Sequence, residues 1–97
     1  MSKEIKVVYS PGFGAGLSTW TPVRPDDPEL IRLVETNASY EVLEAYCEQK
    51  YGAEYYGGLT TAEIGYVPCG SFWRIREYDG AETIEVFDPE RWYKAPD

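Results

Sequence analysis

Three glycines alternate with other residues over positions 12–16, directly after a short apolar run. Backbone amides of successive glycines can form a concavity that binds an anion. No nucleotide fingerprint is complete, because Leu17 stands where a dinucleotide motif needs glycine and no Gly-Lys-Ser/Thr ending follows. Two interpretations stay open. The loop, with hydroxyls at Ser18 and Thr19, binds a phosphate or another anion, or its glycines let a strand or the Trp20 ring approach the backbone closely.

Two arginines, Arg74 and Arg76, stand two residues apart in a segment of alternating polar and apolar residues. Alternate residues of a strand share one face, so Phe72 and Tyr78 fall on the same side. A guanidinium offers a planar fork of donors that fits a phosphate or carboxylate, and an aromatic ring beside it can stack on a base. The simpler interpretation is a cross-strand ion pair between Arg74 and Glu85.

Glu77 and Glu82 form a local conflict, because a two-residue turn at Asp79-Gly80 places them directly opposite each other. Two close carboxylates can share a proton, as acid/base dyads do, or hold a cation. That interpretation predicts a carboxylate-based hydrolase. The competing interpretation is a pair of solvated side chains at the tip of a hairpin.

The chain contains no histidine, which removes the usual general base and the usual serine or cysteine triad. Its two cysteines, Cys47 and Cys69, cannot form a zinc cluster. We expect Cys47 to pack in the core and Cys69 to lie exposed in a turn, both as reduced thiols. We therefore predict no metal and no cofactor, and binding is favoured over catalysis.

The charge of the chain limits its partners. Its 97 residues include 17 acidic and 9 basic side chains, which gives a net charge of −8. Duplex nucleic acid and anionic membranes both require a cationic face, so we expect neither as a partner. No signal-like or membrane-spanning apolar run is present, which predicts a cytoplasmic protein. Nine tyrosines and three tryptophans leave aromatic surface for contacts.

Capping and breaking residues predict the elements that position these groups. A strand is predicted over 5–9, and Asp27 followed by a proline is typical of a helix start. Ser39 caps a second helix that Gly52 ends. A further strand is predicted over 60–67.

The best-defined element is a hairpin of 72–78 and 81–87, because Asp79-Gly80 is a strong signal for a two-residue turn. That turn sets the register and places alternate residues on opposite faces. The predicted core-facing residues are Trp73, Ile75, Ile84 and Val86. The predicted outward residues are Arg74, Arg76, Thr83 and Glu85.

Together these elements predict an α+β fold, with an antiparallel sheet of about four strands and two helices packed on one face. The chain length predicts a single domain over residues 1–97, with frayed ends at 1–4 and 94–97. Either Trp92 or Tyr93 is expected to fold back on the domain.

Three stretches of the chain resemble a family of small tailed-phage proteins. They are a strand running into a "GGFGLS"-like loop (Tyr9 and 12–18), an Asp-Pro-x-Leu helix start (27–30), and an "EYDGxE" hairpin (77–82) after a proline-bearing strand (66–68). The chain departs from the family pattern at Ala15 and at Thr19-Trp20, where the family begins a helix. The resemblance implies a phage-type accessory protein in the host cell cytosol, and such proteins often inhibit host defences.

The leading hypothesis is a phage-type accessory protein that captures a small anionic or nucleotide-derived ligand, within one chain or across a homo-oligomer interface. The first alternative is an acidic, aromatic-rich inhibitor of a host protein that uses Tyr55 and Tyr56, and the second is the carboxylate-based hydrolase. The predicted ligand-binding residues are Gly12, Phe13, Gly14, Ala15, Gly16, Ser18, Thr19, Arg74, Arg76 and Tyr78, with Glu77 and Glu82 as the carboxylate pair.

Overall fold

The computed structural model describes residues 3–12, 16–52, 57–87 and 95–96. It has the predicted α+β class. Neither described helix has the length and apolar character needed to cross a bilayer. The predicted fold-back of Trp92 or Tyr93 lies outside the described residues. The elements are β1 (Glu4–Tyr9), α1 (Pro28–Glu35), α2 (Tyr40–Tyr51), a 3-10 helix (Gly57–Thr61), β2 (Glu63–Pro68), β3 (Phe72–Tyr78) and β4 (Ala81–Phe87).

Both helices begin and end where the capping residues predict. The Asp27 carboxylate accepts the amides of Glu29 at 3.0 Å and Leu30 at 3.2 Å, which satisfies free donors of the first turn. Ser39 caps α2 in the same way through its hydroxyl. Gly52 ends α2 with φ of 69°, a left-handed conformation that glycine adopts without steric cost.

Strands β1 and β2 pair antiparallel, and both faces of β1 are covered. Val7 and Val8 point to opposite faces, and both are fully buried. Val8 belongs to a core that the helices complete, so the helices pack on one face of this sheet as predicted. The buried members of that core are Val8, Leu17, Val23, Leu30, Leu43, Cys47 and Leu59.

Strands β3 and β4 form the predicted hairpin in the predicted register. Glu77 pairs with Glu82, and Arg74 pairs with Glu85. The turn residue Asp79 has φ of 51°, and the glycine after it has φ of 84°. Positive φ at both central positions is the requirement of the turn that matches the twist of two hairpin strands.

The described strands form two two-stranded sheets, β1-β2 and β3-β4, where the sequence predicts one sheet of about four strands. Gly65 provides the physical reason. A Cβ atom at Gly65 would collide with Cδ1 of Ile84, so the missing side chain lets β4 pack face-on against β2. Gly65 pairs with Val7, so the hairpin covers the face of β1-β2 opposite the helices.

Two element boundaries and the exposure of one side chain also differ from the sequence predictions. Glu4 pairs with Pro68, so the chain is already in a strand at a position where fraying was predicted. The predicted strand over 60–67 begins only at Glu63, because the 3-10 helix occupies the residues before it. Val86, predicted to face the core, is 37% exposed, since it lies beyond the contact that Ile84 makes.

Candidate ligand-binding site

The residues around the glycine loop hold an anion that belongs to the chain itself, the carboxylate of Glu82. This side chain is fully buried. Its Oε1 accepts the Ser10 amide at 2.9 Å. Its Oε2 accepts the amides of Leu17 at 2.8 Å and Thr19 at 3.0 Å, and the Thr19 hydroxyl at 2.6 Å. A buried carboxylate requires such donors, and this one has them.

We call the donors from Ser10, Leu17 and Thr19 the carboxylate cradle. The leading hypothesis from the sequence places an external anion on the loop, whereas the Glu82 carboxylate from β4 occupies the cradle. The Glu82 amide also donates to the Ser10 carbonyl at 2.7 Å, which fastens the hairpin to the end of β1. The packing interpretation applies at Gly16, where a Cβ atom would lie 2.8 Å from the Trp20 ring.

The predicted pairing of Glu77 with Glu82 holds for the backbone and not for the carboxylates. Glu77 is exposed and accepts the Gly80 amide at 2.9 Å within the turn. Glu82 points into the cradle instead, so the interpretation of two solvated side chains is wrong for this residue. Because the carboxylates have different backbone partners, the geometric basis for a shared proton is lost. The burial of Glu82 had one signal in the sequence, an acidic residue on the core-facing side of β4.

A second buried carboxylate, Asp27, joins the two helices. Besides capping α1, it accepts hydrogen bonds from the Tyr46 hydroxyl at 2.9 Å, Lys50 Nζ at 2.9 Å and the Tyr51 hydroxyl at 2.6 Å. Burial alone would raise the pKa of Asp27, but the hydrogen bonds from Tyr51 and Lys50 hold that pKa well below its ordinary value. Burial, together with the bond to Asp27, raises the pKa of Tyr51 to about 12.

The two hairpin arginines share one carboxylate. Arg74 Nε donates to Glu85 Oε1 at 2.6 Å, and Arg76 Nη1 donates to Glu85 Oε2 at 2.9 Å. Both arginine side chains are more than half exposed. Hydrogen bonds from Arg74 and Arg76 lower the pKa of the Glu85 carboxyl. The cross-strand ion pair thus forms, with a second guanidinium added to it.

Exposed aromatic rings flank these arginines along the outer face of the hairpin. Phe72 is 77% exposed at one end, and Tyr78 is 80% exposed at the other. The two ends carry separate hollows, and Glu85 lines both. One hollow, of about 230 Å³, is lined by Phe72, Trp73, Arg74, Glu85 and Phe87. The other, of about 450 Å³, includes Arg76, Glu77, Tyr78, Thr83 and Glu85.

The structure brings only part of the predicted ligand-binding set together. Arg74 lines an open cleft of about 450 Å³ with Ser18 and Thr19. Arg76 and Tyr78 line the hollow at the far end of the hairpin instead. Gly12 lies against Thr61 near the end of β1. Phe13, Gly14 and Ala15 of this set fall outside the described residues, as do Tyr55 and Tyr56 of the inhibitor alternative.

Within the described part of the chain, no group of three or more acidic or cysteine side chains is placed to hold a metal ion. Cys47 is buried and Cys69 is exposed, both as free thiols.

No family model, no curated protein and no solved structure matches this chain. The resemblance to small phage proteins stays a prediction, and a function has to be argued from the geometry of the hairpin.

Proposed function

We propose that this protein acts by binding, and that it captures a small organic anion with an aromatic group on the outer face of the hairpin. The observation that carries the proposal is the sharing of Glu85 by Arg74 and Arg76. Among the ion pairs of the described residues, two guanidinium groups share this one carboxylate, in a chain of net charge −8. An incoming anion would give the two arginines a second negative group to pair with, in addition to Glu85.

The guanidinium groups retain the donors that such a ligand needs. Within the described residues, Arg74 donates only through Nε and Arg76 only through Nη1. A guanidinium carries five N–H donors, so most of them remain for a ligand. Phosphate and carboxylate oxygens are the acceptors that fit this planar fork best.

The exposed rings supply most of the binding free energy in this proposal. Stacking of a base on an aromatic side chain contributes about 1–3 kcal/mol, and an exposed ion pair about 0.2–1 kcal/mol. One ring, Phe72 or Tyr78, and the two arginines together correspond to a dissociation constant in about the millimolar range. Nucleotide-derived ligands combine both groups, which agrees with the phage-type accessory role that the resemblance implies.

Titration with adenosine 5′-monophosphate, followed by amide chemical shifts, tests the proposal. We expect saturable shifts confined to the hairpin at millimolar concentration, and their loss in a double variant, Arg74→Ala with Arg76→Ala. Arg32→Ala is the matched control, because Arg32 is an equally exposed arginine that pairs with Glu29 on α1. Absence of saturable shifts in the wild type, or equal loss in the control, would refute the proposal.

A second candidate function, binding to a host protein, uses the same exposed rings. Phe72 and Tyr78 are far more exposed than most large apolar side chains, and aromatic and arginine residues are enriched at protein interfaces. Capture of one defined host protein that Phe72→Ala and Tyr78→Ala both abolish would favour this function. The carboxylate-based hydrolase receives no such support, because Glu77 and Glu82 bind different groups.

A further inference from the structure

We infer that the edge of β3 that faces away from β4 binds an extended peptide as an added strand. The inference goes beyond the small anion of the proposed function, because backbone groups carry it. Glu82, opposite Glu77, donates its amide away from β3, to the Ser10 carbonyl at 2.7 Å. Pairs in an antiparallel ladder alternate between those that exchange hydrogen bonds and those that do not. The N–H and C=O groups of Trp73, Ile75 and Glu77 therefore point away from β4.

This edge, which we call the free edge of β3, is long and regular. Among the described residues, none donates to or accepts from the outward backbone groups. The pairing with β4 runs without a bulge from Phe72 to Tyr78. An edge of this kind is a template for one more strand. In strand addition the backbone bonds supply affinity, and the side chains beside them supply specificity.

An open cleft of about 450 Å³ runs along the free edge. Three consecutive residues of β3 line it, Trp73, Arg74 and Ile75, and no residue of β4 does. Successive residues of a strand point to opposite faces, so a cleft that touches three in a row lies along the edge. The other lining residues come from 18–19 and 23–26. The cleft therefore lies between β3 and that segment, which suits a single extended chain.

The side chains of β3 define the peptide that fits best. Residues directly opposite each other in a sheet stabilise it when their charges are opposite and destabilise it when the charges match. Arg74 and Arg76 favour two acidic residues, two positions apart. Trp73 and Ile75 favour apolar residues, and Glu77 favours a basic one. For an antiparallel peptide, the pattern from its N-terminus is basic, acidic, apolar, acidic, apolar.

Glu85 is compatible with acidic residues on the added strand. Each arginine would lie between Glu85 on β4 and a peptide carboxylate. Strands two apart are separated by about 10 Å, where salt already screens the repulsion between carboxylates. A second copy of the chain lacks this match, because antiparallel pairing about Ile75 would place Arg74 opposite Arg76. The charges of β3 therefore favour a peptide over self-association.

A capped peptide, Ser-Lys-Glu-Val-Glu-Val-Ser, tests the inference through amide hydrogen exchange of the unaltered protein. Without peptide, the amides of Trp73, Ile75 and Glu77 should exchange faster than those of Arg74 and Arg76, which donate to β4. At a peptide concentration of ten times the Kd, exchange at the first three should slow about tenfold. A control peptide of equal composition and charge, Ser-Glu-Glu-Val-Val-Lys-Ser, breaks the alternation and should bind about fivefold more weakly.

Methylation of single peptide amides separates strand addition from other modes of binding. A methyl group on the first valine, opposite Ile75, removes a hydrogen bond to β3 and should weaken binding about tenfold. The matched control carries the methyl group on the second glutamate, opposite Arg74, whose amide points away from β3. That peptide should bind almost as well as the unmethylated one.

Four results would overturn the inference. Two are equal binding of the two methylated peptides and equal binding of the two unmethylated ones. The third is unchanged exchange at Ile75 with the first peptide at millimolar concentration. The fourth is protection of Ile75 that grows with protein concentration in the absence of peptide, which would show that a second copy occupies the edge. None of these results depends on adenosine 5′-monophosphate, so the proposed function is tested separately.

Discussion

Two glutamates of β4, Glu82 and Glu85, accept hydrogen bonds from several donors each on opposite faces of the same strand. Glu82 is fully buried among backbone amides and one hydroxyl. Glu85 lies on the outer face between two exposed arginines. The same residue type, three positions apart, therefore serves two purposes. The buried carboxylate holds the hairpin to the domain, and the exposed one balances charge on an open surface.

The dielectric environment explains this difference. A carboxylate in the interior has lost its hydration, so its donors cannot be removed without a large cost. An exposed ion pair exchanges freely with water and is screened by salt, so it contributes little to stability. Stability should therefore depend on Glu82, and ligand binding on the charge that Glu85 controls.

Glu82→Ala should produce the largest effect, a loss of about 3–5 kcal/mol in the free energy of unfolding, because it removes the carboxylate that buried backbone donors share. Urea denaturation measures this quantity. Glu77→Ala, directly opposite on β3, is the matched control and should cost at most about 1 kcal/mol. Equal losses in the two variants would show that the cradle does not hold the hairpin.

Asp27→Asn extends the comparison to the other buried carboxylate. It keeps the helix cap, because asparagine caps as well as aspartate, and should cost about 2–3 kcal/mol through weaker bonds from Tyr46, Lys50 and Tyr51. The pKa of Asp27 is lowered in the folded protein. The stabilisation that the ionised Asp27 gives is therefore present above the pKa of an unfolded aspartate, about 3.9, and is lost as the pH falls below that pKa. Between about pH 2 and 6, the free energy of unfolding should depend less on pH in the variant than in the wild type. An equal dependence on pH in the two proteins would contradict this role of Asp27.

Formate should partly restore the Glu82→Ala variant, because it supplies the missing carboxylate to the Ser10, Leu17 and Thr19 donors. At formate concentrations several times the dissociation constant, the recovery is about 1 kcal/mol. Thermal unfolding in formate, against sodium chloride of equal ionic strength, measures it. A gain that chloride reproduces, or one seen equally in the wild type, would mean that the cradle does not bind the anion.

Glu85→Gln should produce the smallest change in stability, within about 0.5 kcal/mol of the wild type, because the pair is exposed. The pKa of the Glu85 carboxyl is lowered by the two arginines. Any stabilisation it gives is therefore present above the ordinary carboxyl pKa and is lost as the pH falls. A loss as large as that of Glu82→Ala would remove the distinction between the two faces of β4.

Short-range chemistry made much of the fold predictable from the sequence. The caps at Asp27 and Ser39, the stop at Gly52 and the register set by the Asp79-Gly80 turn each depend on residues within a few positions of one another. The outward placement of Arg74, Arg76 and Tyr78 followed from the same register. Alternation along a strand is a local property, so the sequence alone determined which side chains form the candidate face.

Only the tertiary structure decided where the buried carboxylates go. Ser10 and Glu82 are 72 positions apart, and no local sequence pattern predicts the contact between them. The division into two sheets likewise depends on the packing of Ile84 over Gly65. The sequence left open whether the glycine loop binds an external anion, and the donors that hold Glu82 belong to the residues on either side of it, Ser10, Leu17 and Thr19. That Glu82 lies there could not be predicted, because the burial of a charge depends on all the donors that the folded chain brings around it.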